Sequence, residues 1–308
     1  MTVSVFIDGA AGTTGLEIRD RIAGRDGIAV IAIDEARRKD AAARAEALND
    51  ADIVILCLPD DAAREAVALI RNDRTRVIDA SSAHRVADGW TYGFAELNPD
   101  QADRIAAARF VTNPGCYPTG FLALVRPLVR AGLLPATARL SVNAASGYSG
   151  GGKAMIAEFE GGAPSAFRPY GLTLSHKHVP EMTVHAGLSH APIFQPAVAN
   201  TYRGMVVEVP LHLAQFVDGA NPGDIDAVLR DAYPAGGLVR LSQDEIDTVS
   251  IEDDAGSDRL TLHAFSNPVT AQVRLIATLD NLGKGAAGAA VQNLNIMAGL
   301  DPLAGLTL

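Results

Sequence analysis

Aromatic residues are scarce, at 5% of 308 residues with a single tryptophan, so any core has to rest on Ala, Val, Leu and Ile. Cysteine is scarcer still: only Cys57 and Cys116, which excludes a disulfide framework and points to a reducing cytoplasm. Basic charge is in deficit, with 26 Lys and Arg against 36 Asp and Glu and a net charge of -10. That argues against a broad surface for a phosphate backbone, so no nucleic-acid partner is expected. A small basic pocket for an anionic metabolite stays compatible with it. No apolar run approaches the ~18 residues needed to span a bilayer. The start, "MTVSVFIDG", has no basic n-region and runs directly into a strand pattern, so neither a signal peptide nor a membrane partner is expected. The remaining composition, 48% hydrophobic and 20% charged, is that of a globular protein, and the length suggests about two domains.

The first half alternates two signals. "VSVFID", "IAVIAI", "DIVILCLP", "RVIDAS" and "RFVTN" read as strands; "LEIRDRI", "KDAAARAEAL" and "DDAAREAVALI" read as helices. Strands apolar throughout and spaced by helices predict a parallel sheet covered on both faces. The fold class is therefore α/β, with a Rossmann-type, doubly wound parallel sheet over residues 1–116. After that the pattern changes. "FLALVRPLVRAGLL" reads as a helix kinked or broken at Pro127. "RLSVNAAS", "GMVVEVPLHL" and "AQVRLIATLD" predict a second, α+β domain over 117–283, with a mixed or antiparallel sheet covered on one face. The small-residue helix 284–299 is expected to pack back onto the first domain.

"IDGAAGTTG" places Gly9, Gly12 and Gly15 between a strand and a helix, with Thr13 and Thr14 opening the helix. Such glycines allow a tight turn and let backbone N–H groups approach a pyrophosphate. The end of the second strand leaves the cofactor open. Asp34 suits a ribose 2′-hydroxyl, and so NAD; Arg37, Arg38 and Lys39 suit a 2′-phosphate, and so NADP.

"NPGCYPTG" places Cys116 after a Pro-Gly turn and at a helix start, where the macrodipole favours the thiolate. A reactive thiol calls for a proton-transfer partner, and "SHKHVPE" offers His176 and His178 beside Lys177 and Glu181. An extended segment would put both imidazoles on one face. No further metal ligands cluster with the pair, so no metal is expected. Cys57, inside "DIVILCLP", reads as an inert buried strand residue. A nucleotide domain followed by a nucleophilic cysteine suggests thioester formation and hydride reduction to an aldehyde.

Across nearly its whole length the chain resembles the N-acetyl-gamma-glutamyl-phosphate reductases of the short form. The resemblance rests on "GAAGTTG", "SSAHR", "YGFAEL", "NPGCYPTG", "SGYSGGGK", "HKHVPE" and "LDNLGKGAAGAAVQNLN". It implies a cytoplasmic, homo-oligomeric (dimeric or tetrameric) enzyme of arginine biosynthesis. That enzyme reduces N-acetyl-L-glutamyl 5-phosphate with NADPH to N-acetyl-L-glutamate 5-semialdehyde and phosphate, through a cysteine thioester. It further implies Cys116 as nucleophile and His176 as acid/base. Gly9, Gly12, Thr13, Thr14, Gly15, Arg37, Arg38, Ser149, Gly150 and Asn281 would bind NADP. Ser146, Arg85, Lys153, His178 and Glu181 would bind the substrate. One departure is "SSAHR", where longer members read closer to "SADFR". Three other readings compete. The first is a reductase of another acyl phosphate, of aminoadipyl or aspartyl type. The second is a cysteine hydrolase or acyltransferase without hydride transfer. The third is a non-catalytic nucleotide sensor.

Overall fold

The computed structural model describes residues 2–37, 40–162 and 165–308. The chain forms two compact units. The first holds the chain up to Ala95, Asp100–Pro114 and Ala286–Leu306; the second holds Glu96–Pro99, Gly115–Gly285 and Thr307–Leu308. Cys116, which the sequence reading placed at the end of the first domain, falls within the second unit, as does Glu96–Pro99.

The first unit runs β1 (Val3–Asp8), α1 (Thr13–Ile22), β2 (Ile28–Ile31), α2 (Ala41–Asp50), β3 (Ile53–Leu56), α3 (Asp60–Leu69), β4 (Arg76–Asp79), β5 (Thr91–Tyr92), α4 (Gln101–Ala107) and β6 (Phe110–Thr112). The strands lie in the order β2-β1-β3-β4-β6-β5, and every pair is parallel. Strand periodicity sorts the apolar residues onto two faces. Val5, Ile7, Ile53, Ile55 and Ile78 meet Ile18 and Ile22 of α1 on one side. Phe6, Val54, Leu56 and Val77 meet Ala47 and Leu48 of α2 and Ala63 and Ala66 of α3 on the other. Each large aliphatic side chain so enclosed contributes roughly 1.5–3 kcal/mol. Alanines on the covering helices let them approach closely, which replaces the missing aromatic bulk. Asp40 starts α2 by accepting the Ala42 N–H at 2.9 Å, a side-chain N-cap.

The second unit runs α5 (Cys116–Arg130), β7 (Ser141–Gly147), α6 (Gly152–Glu160), β8 (Phe167–Pro169), α7 (Val179–Ala186), β9 (Ile193–Ala199), β10 (Met205–His212), α8 (Pro222–Ala232), β11 (Val239–Leu241), β12 (Leu260–Asn267) and β13 (Gln272–Leu279). Its sheet has the order β11-β12-β13-β10-β7-β9-β8. It is mixed: β7/β9 and β11/β12 are parallel, and the other neighbours are antiparallel. Helices α5 and α8 pack on each other and on β10 to β13. In β10 the residues Val207, Val209 and Leu211 are buried, while the alternate Val206, Glu208, Pro210 and His212 are half-buried or exposed. After β13 a wide turn over Gly283–Ala287 leads into α9 (Gly288–Ala298). That helix belongs to the first unit, where Ala290, Val291 and Leu294 join the α1 side of the core. No helix among the described residues is long and apolar enough to cross a membrane.

Of the kink or break expected at Pro127, the break does not occur: α5 continues to Arg130. Proline has no N–H for the carbonyl four residues back, which is that of Ala123. The Tyr233 hydroxyl, from the end of α8, donates to that carbonyl at 3.0 Å. A tertiary hydrogen bond thus replaces the missing helical one, and burial pushes the Tyr233 phenol upward, so it stays a donor.

Candidate active site

In the first unit the glycine loop follows β1. Gly12 caps α1 in an extended conformation, and its N–H donates to the Gly9 carbonyl at 3.0 Å. Two of the three glycines are required by the loop itself. Gly9 has φ +88°, and a Cβ there would lie 2.3 Å from the Cys57 carbonyl oxygen; a Cβ on Gly15 would lie 2.6 Å from the Gly9 oxygen. A Cβ on Gly12 meets only the Gly9 oxygen, at 3.5 Å. The fold itself does not demand glycine at position 12, and a bare backbone there matches what a pyrophosphate needs at a helix N-terminus. Thr13 and Thr14 form the first turn of α1 beside it. The loop therefore fits a dinucleotide. Gly15→Ala should lower the melting temperature by several degrees, since overpacking against backbone costs about 1–3 kcal/mol. Gly12→Ala should melt like the parent but weaken NADP+ binding at least ~10-fold, because a ligand atom would occupy the Cβ position. Thermal melts and fluorescence titration check both.

The basic run after β2 is partly neutralised. Arg37 donates to Glu46 at 3.0 Å and to Asp40 at 3.4 Å. Asp34 is exposed; Arg38 and Lys39 lie outside the described residues. Arg44, which sequence reasoning passed over, donates to Asp8 at 2.8 Å. A carboxylate ending a buried strand calls for a cation, and that was the signal available. At the end of β4, fully buried Asp79 accepts the N–H and the hydroxyl of Ser81 at 2.9 and 2.7 Å and meets His84 Nδ1 at 2.6 Å. His84 stacks on Trp90 with centroids 4.1 Å apart. Arg85 follows, mostly buried, donating to the Ala80 carbonyl at 3.1 Å.

In the second unit Cys116 is the first residue of α5, with Gly115 as N-cap. Fractional exposure does not distinguish it from Cys57, as both are intermediate. Their surroundings do: burial, with Asp79 and Asp8 adding to it, pushes the Cys57 thiol up to about 12. Cys116 lies instead at the positive end of a helix dipole. Gly285, from the turn after β13, is pressed against it; a Cβ on Gly285 would lie 2.8 Å from the Cys116 Cβ. Asp280 organises that turn, accepting the N–H groups of Leu282, Gly283 and Gly256 at 2.7, 3.0 and 2.6 Å. Within the turn, Lys284 is 1% exposed and donates to both carboxylate oxygens of Glu96 at 2.9 and 2.7 Å.

The expected extended "SHKHVP" segment is a turn. The Val179 N–H donates to the His176 carbonyl at 2.9 Å, His178 is the N-cap of α7, and Pro180 sits in the first turn. Proline suits the first turn of a helix, whose N–H groups lack intrahelical partners, and here this outweighs the extended preference of pre-proline residues. The turn brings the two imidazoles to 4.7 Å between centroids. Both lie against Tyr117, the residue after Cys116, at 6.4 Å for His176 and 5.9 Å for His178. The His178 backbone N–H donates to His176 Nδ1 at 3.2 Å. In the neutral ring this places the proton on Nε2, so His176 presents a donor. Lys177 is exposed. Glu181, expected to bind substrate, is 1% exposed and accepts the Gly115 N–H at 2.7 Å.

Two tyrosines missing from the sequence reading complete the group. The Tyr170 hydroxyl donates to the Tyr117 hydroxyl at 3.3 Å, which donates to the Ala197 carbonyl at 3.0 Å. Burial pushes Tyr117 well upward and Tyr170 up to about 12; both are neutral donors at pH 7. Ser146, at the end of β7, leads into the Gly/Ser loop, and its hydroxyl donates to the Gly147 carbonyl at 3.0 Å. A Cβ on Gly150 would lie 3.2 Å from Ser146 Oγ and 3.4 Å from Asn281 Nδ2. Asn281 donates to Ser149 Oγ at 2.8 Å and accepts the Gly204 N–H at 3.0 Å. Thus Cys116, His176, His178, Glu181, Ser146, Ser149, Gly150 and Asn281 come together. Lys153 is exposed on α6, and Arg85 belongs to the other unit.

Known proteins carry the same pattern. Residues 4–105 match the semialdehyde dehydrogenase NAD binding domain, and 116–281 the semialdehyde dehydrogenase dimerisation domain. The N-acetyl-gamma-glutamyl-phosphate reductase of Mesorhizobium japonicum is 51% identical over 97% of this chain and 100% of that protein. The same-named protein of Rhizobium leguminosarum bv. trifolii is 52% identical over 96% and 99%. Among solved structures, aspartate semialdehyde dehydrogenase II from Vibrio cholerae aligns with TM-score 0.75 at 15% identity over 97% of this chain and 99% of that one. The enzyme from Francisella tularensis aligns with TM-score 0.72 at 14% identity over 96% and 100%. The fold is theirs, and the identity of full-length relatives places this chain in the N-acetyl-gamma-glutamyl-phosphate reductase family.

Proposed function

We propose that this chain reduces N-acetyl-L-glutamyl 5-phosphate to N-acetyl-L-glutamate 5-semialdehyde and phosphate in arginine biosynthesis, with NADPH as reductant. The observation that carries the chemistry is the meeting of a cysteine at a helix N-terminus with a His-x-His turn packed against the residue that follows it. The Cys116 thiolate attacks the acyl carbonyl; the C–S bond forms, the C–O bond to phosphate breaks, and phosphate leaves. His176 donates its Nε2 proton as a hydrogen bond to the carbonyl oxygen, where negative charge develops. NADPH, when bound, supplies the hydride that reduces the thioester. His176 holds the second oxyanion in the same way until the C–S bond breaks, releasing aldehyde and regenerating thiolate. Neutral Tyr117 and Tyr170 keep the surroundings uncharged. The glycine loop holds the pyrophosphate. Ser149, Gly150 and Asn281 are assigned to the cofactor, and Ser146, His178, Arg85 and Lys153 to the substrate.

The same reading makes the protein a cytoplasmic homo-oligomer. Support comes from the matched dimerisation domain and from the exposed apolar side chains beside β8. A groove of about 500 Å³ there is lined by Phe167, Tyr170, Leu172, Leu174 and Phe194; Phe167, Leu172 and Leu174 are 56%, 80% and 61% exposed. Light scattering on the purified protein reads the state.

The deciding assay is the reverse reaction, NADP+ reduction with N-acetyl-glutamate 5-semialdehyde. Turnover should require inorganic phosphate, and aspartate semialdehyde should be a poor substitute. Equal turnover of the two aldehydes rejects the substrate assignment. Turnover independent of phosphate rejects the acyl phosphate.

A further inference from the structure

Two helix N-termini in the second unit share one carboxylate. Gly115 caps α5, which starts with Cys116; His178 caps α7, which follows the His176 turn. Glu181 lies in the first turn of α7, is 1% exposed, and accepts the Gly115 N–H at 2.7 Å. An acid there for solubility or simple capping would sit at the surface, since burying a carboxylate is costly unless it is hydrogen-bonded. One of its oxygens accepts from the backbone of the residue before the nucleophile.

We propose that Glu181 is a positioning residue: its tie to the Gly115 N–H fixes the helix start that carries the sulfur against the turn that carries the imidazoles. It replaces the substrate-binding role assigned to Glu181 from sequence. The tie is a hydrogen bond from an N-cap N–H to a side-chain oxygen, and leaving such a buried donor unpaired is costly. The chemistry needs it because His176 Nε2 and Cys116 Sγ act on one carbonyl from two different elements. A misplacement of about 1 Å between such groups can cost ~10²-fold in rate.

The inference rests on Cys116 and His176 being the reacting pair. Its test compares Glu181→Gln, which keeps an acceptor oxygen, with Glu181→Ala, which removes it. Reverse-reaction kinetics give kcat and KM, and amide hydrogen exchange reads the Gly115 N–H directly. Glu181→Ala should lower kcat ~10²-fold with KM within ~3-fold and fast exchange at Gly115. Glu181→Gln should recover most of kcat and the Gly115 protection. Should the alanine variant not fold, Glu181→Asp, which withdraws the carboxylate by one methylene, should lower kcat at unchanged KM. A rise in KM at preserved kcat overturns the proposal in favour of substrate binding. A glutamine variant as impaired as the alanine one also overturns it, because the charge and not the tie would then matter. If the wild type turns over no semialdehyde, the reductase reading fails separately, and exchange at Gly115 in the variants still decides the tie.

Discussion

Cys116→Ala should abolish the reductase reaction, lowering kcat at least ~10⁴-fold, whereas Cys57→Ala should leave kcat unchanged. A nucleophile that becomes covalently bonded cannot be replaced by the remaining site groups, and single losses of such residues reach or exceed this size. Both cysteines are partly exposed, so accessibility alone predicts no difference. The difference lies in charge. Burial and the neighbouring Asp79 and Asp8 hold Cys57 as a thiol up to about pH 12, while Cys116 has an α-helix N-terminus behind it. Iodoacetamide at pH 7 followed by peptide mapping should therefore label Cys116 first. Prior labelling of Cys57, or an active Cys116→Ala enzyme, would refute the assignment. Binding of NADP+ should survive Cys116→Ala, which separates loss of chemistry from loss of fold.

The second large effect is expected at His176. His176→Asn should lower kcat by ~10²–10⁴, the usual range for a positioned proton-transfer or donor group. His178→Asn should change kcat less than ~10-fold and act mainly on KM. The asymmetry has a structural cause. His178 holds His176 through its backbone N–H, at 3.2 Å from Nδ1, and a side-chain substitution leaves that bond in place. The same bond fixes the proton of neutral His176 on Nε2, so the ring serves as donor to the oxyanion. To take the thiol proton as well, the ring would have to release it. Alkylation of Cys116 at pH 7, which reports thiol ionisation, should consequently change far less than kcat in His176→Asn. A parallel loss of alkylation and turnover would make His176 the base. Loss of kcat in His178→Asn with His176→Asn active would reverse the roles.

The sequence determined the class of the first unit because its strands are apolar on both faces and regularly spaced by amphipathic helices. Those are local patterns, and they fix a parallel sheet buried on two sides. It likewise singled out Cys116, since a Pro-Gly turn before a helix is read from neighbours in the chain, and the structure places that residue at the start of α5. Strand β9 was not legible in this way: Pro196 interrupts "IFQPAVA", and its place between β7 and β8 depends on long-range pairing. Nor was the course of α5, because the hydroxyl that satisfies Ala123 past Pro127 comes from Tyr233, more than a hundred residues on. The turn form of "SHKHVP" depended on whether Pro180 would start a helix, which is settled by packing. The family resemblance assigns Glu181 to the substrate. Only the tertiary structure buries it and sets Gly115 opposite, since a hydrogen bond between residues 66 apart leaves no periodicity in the chain.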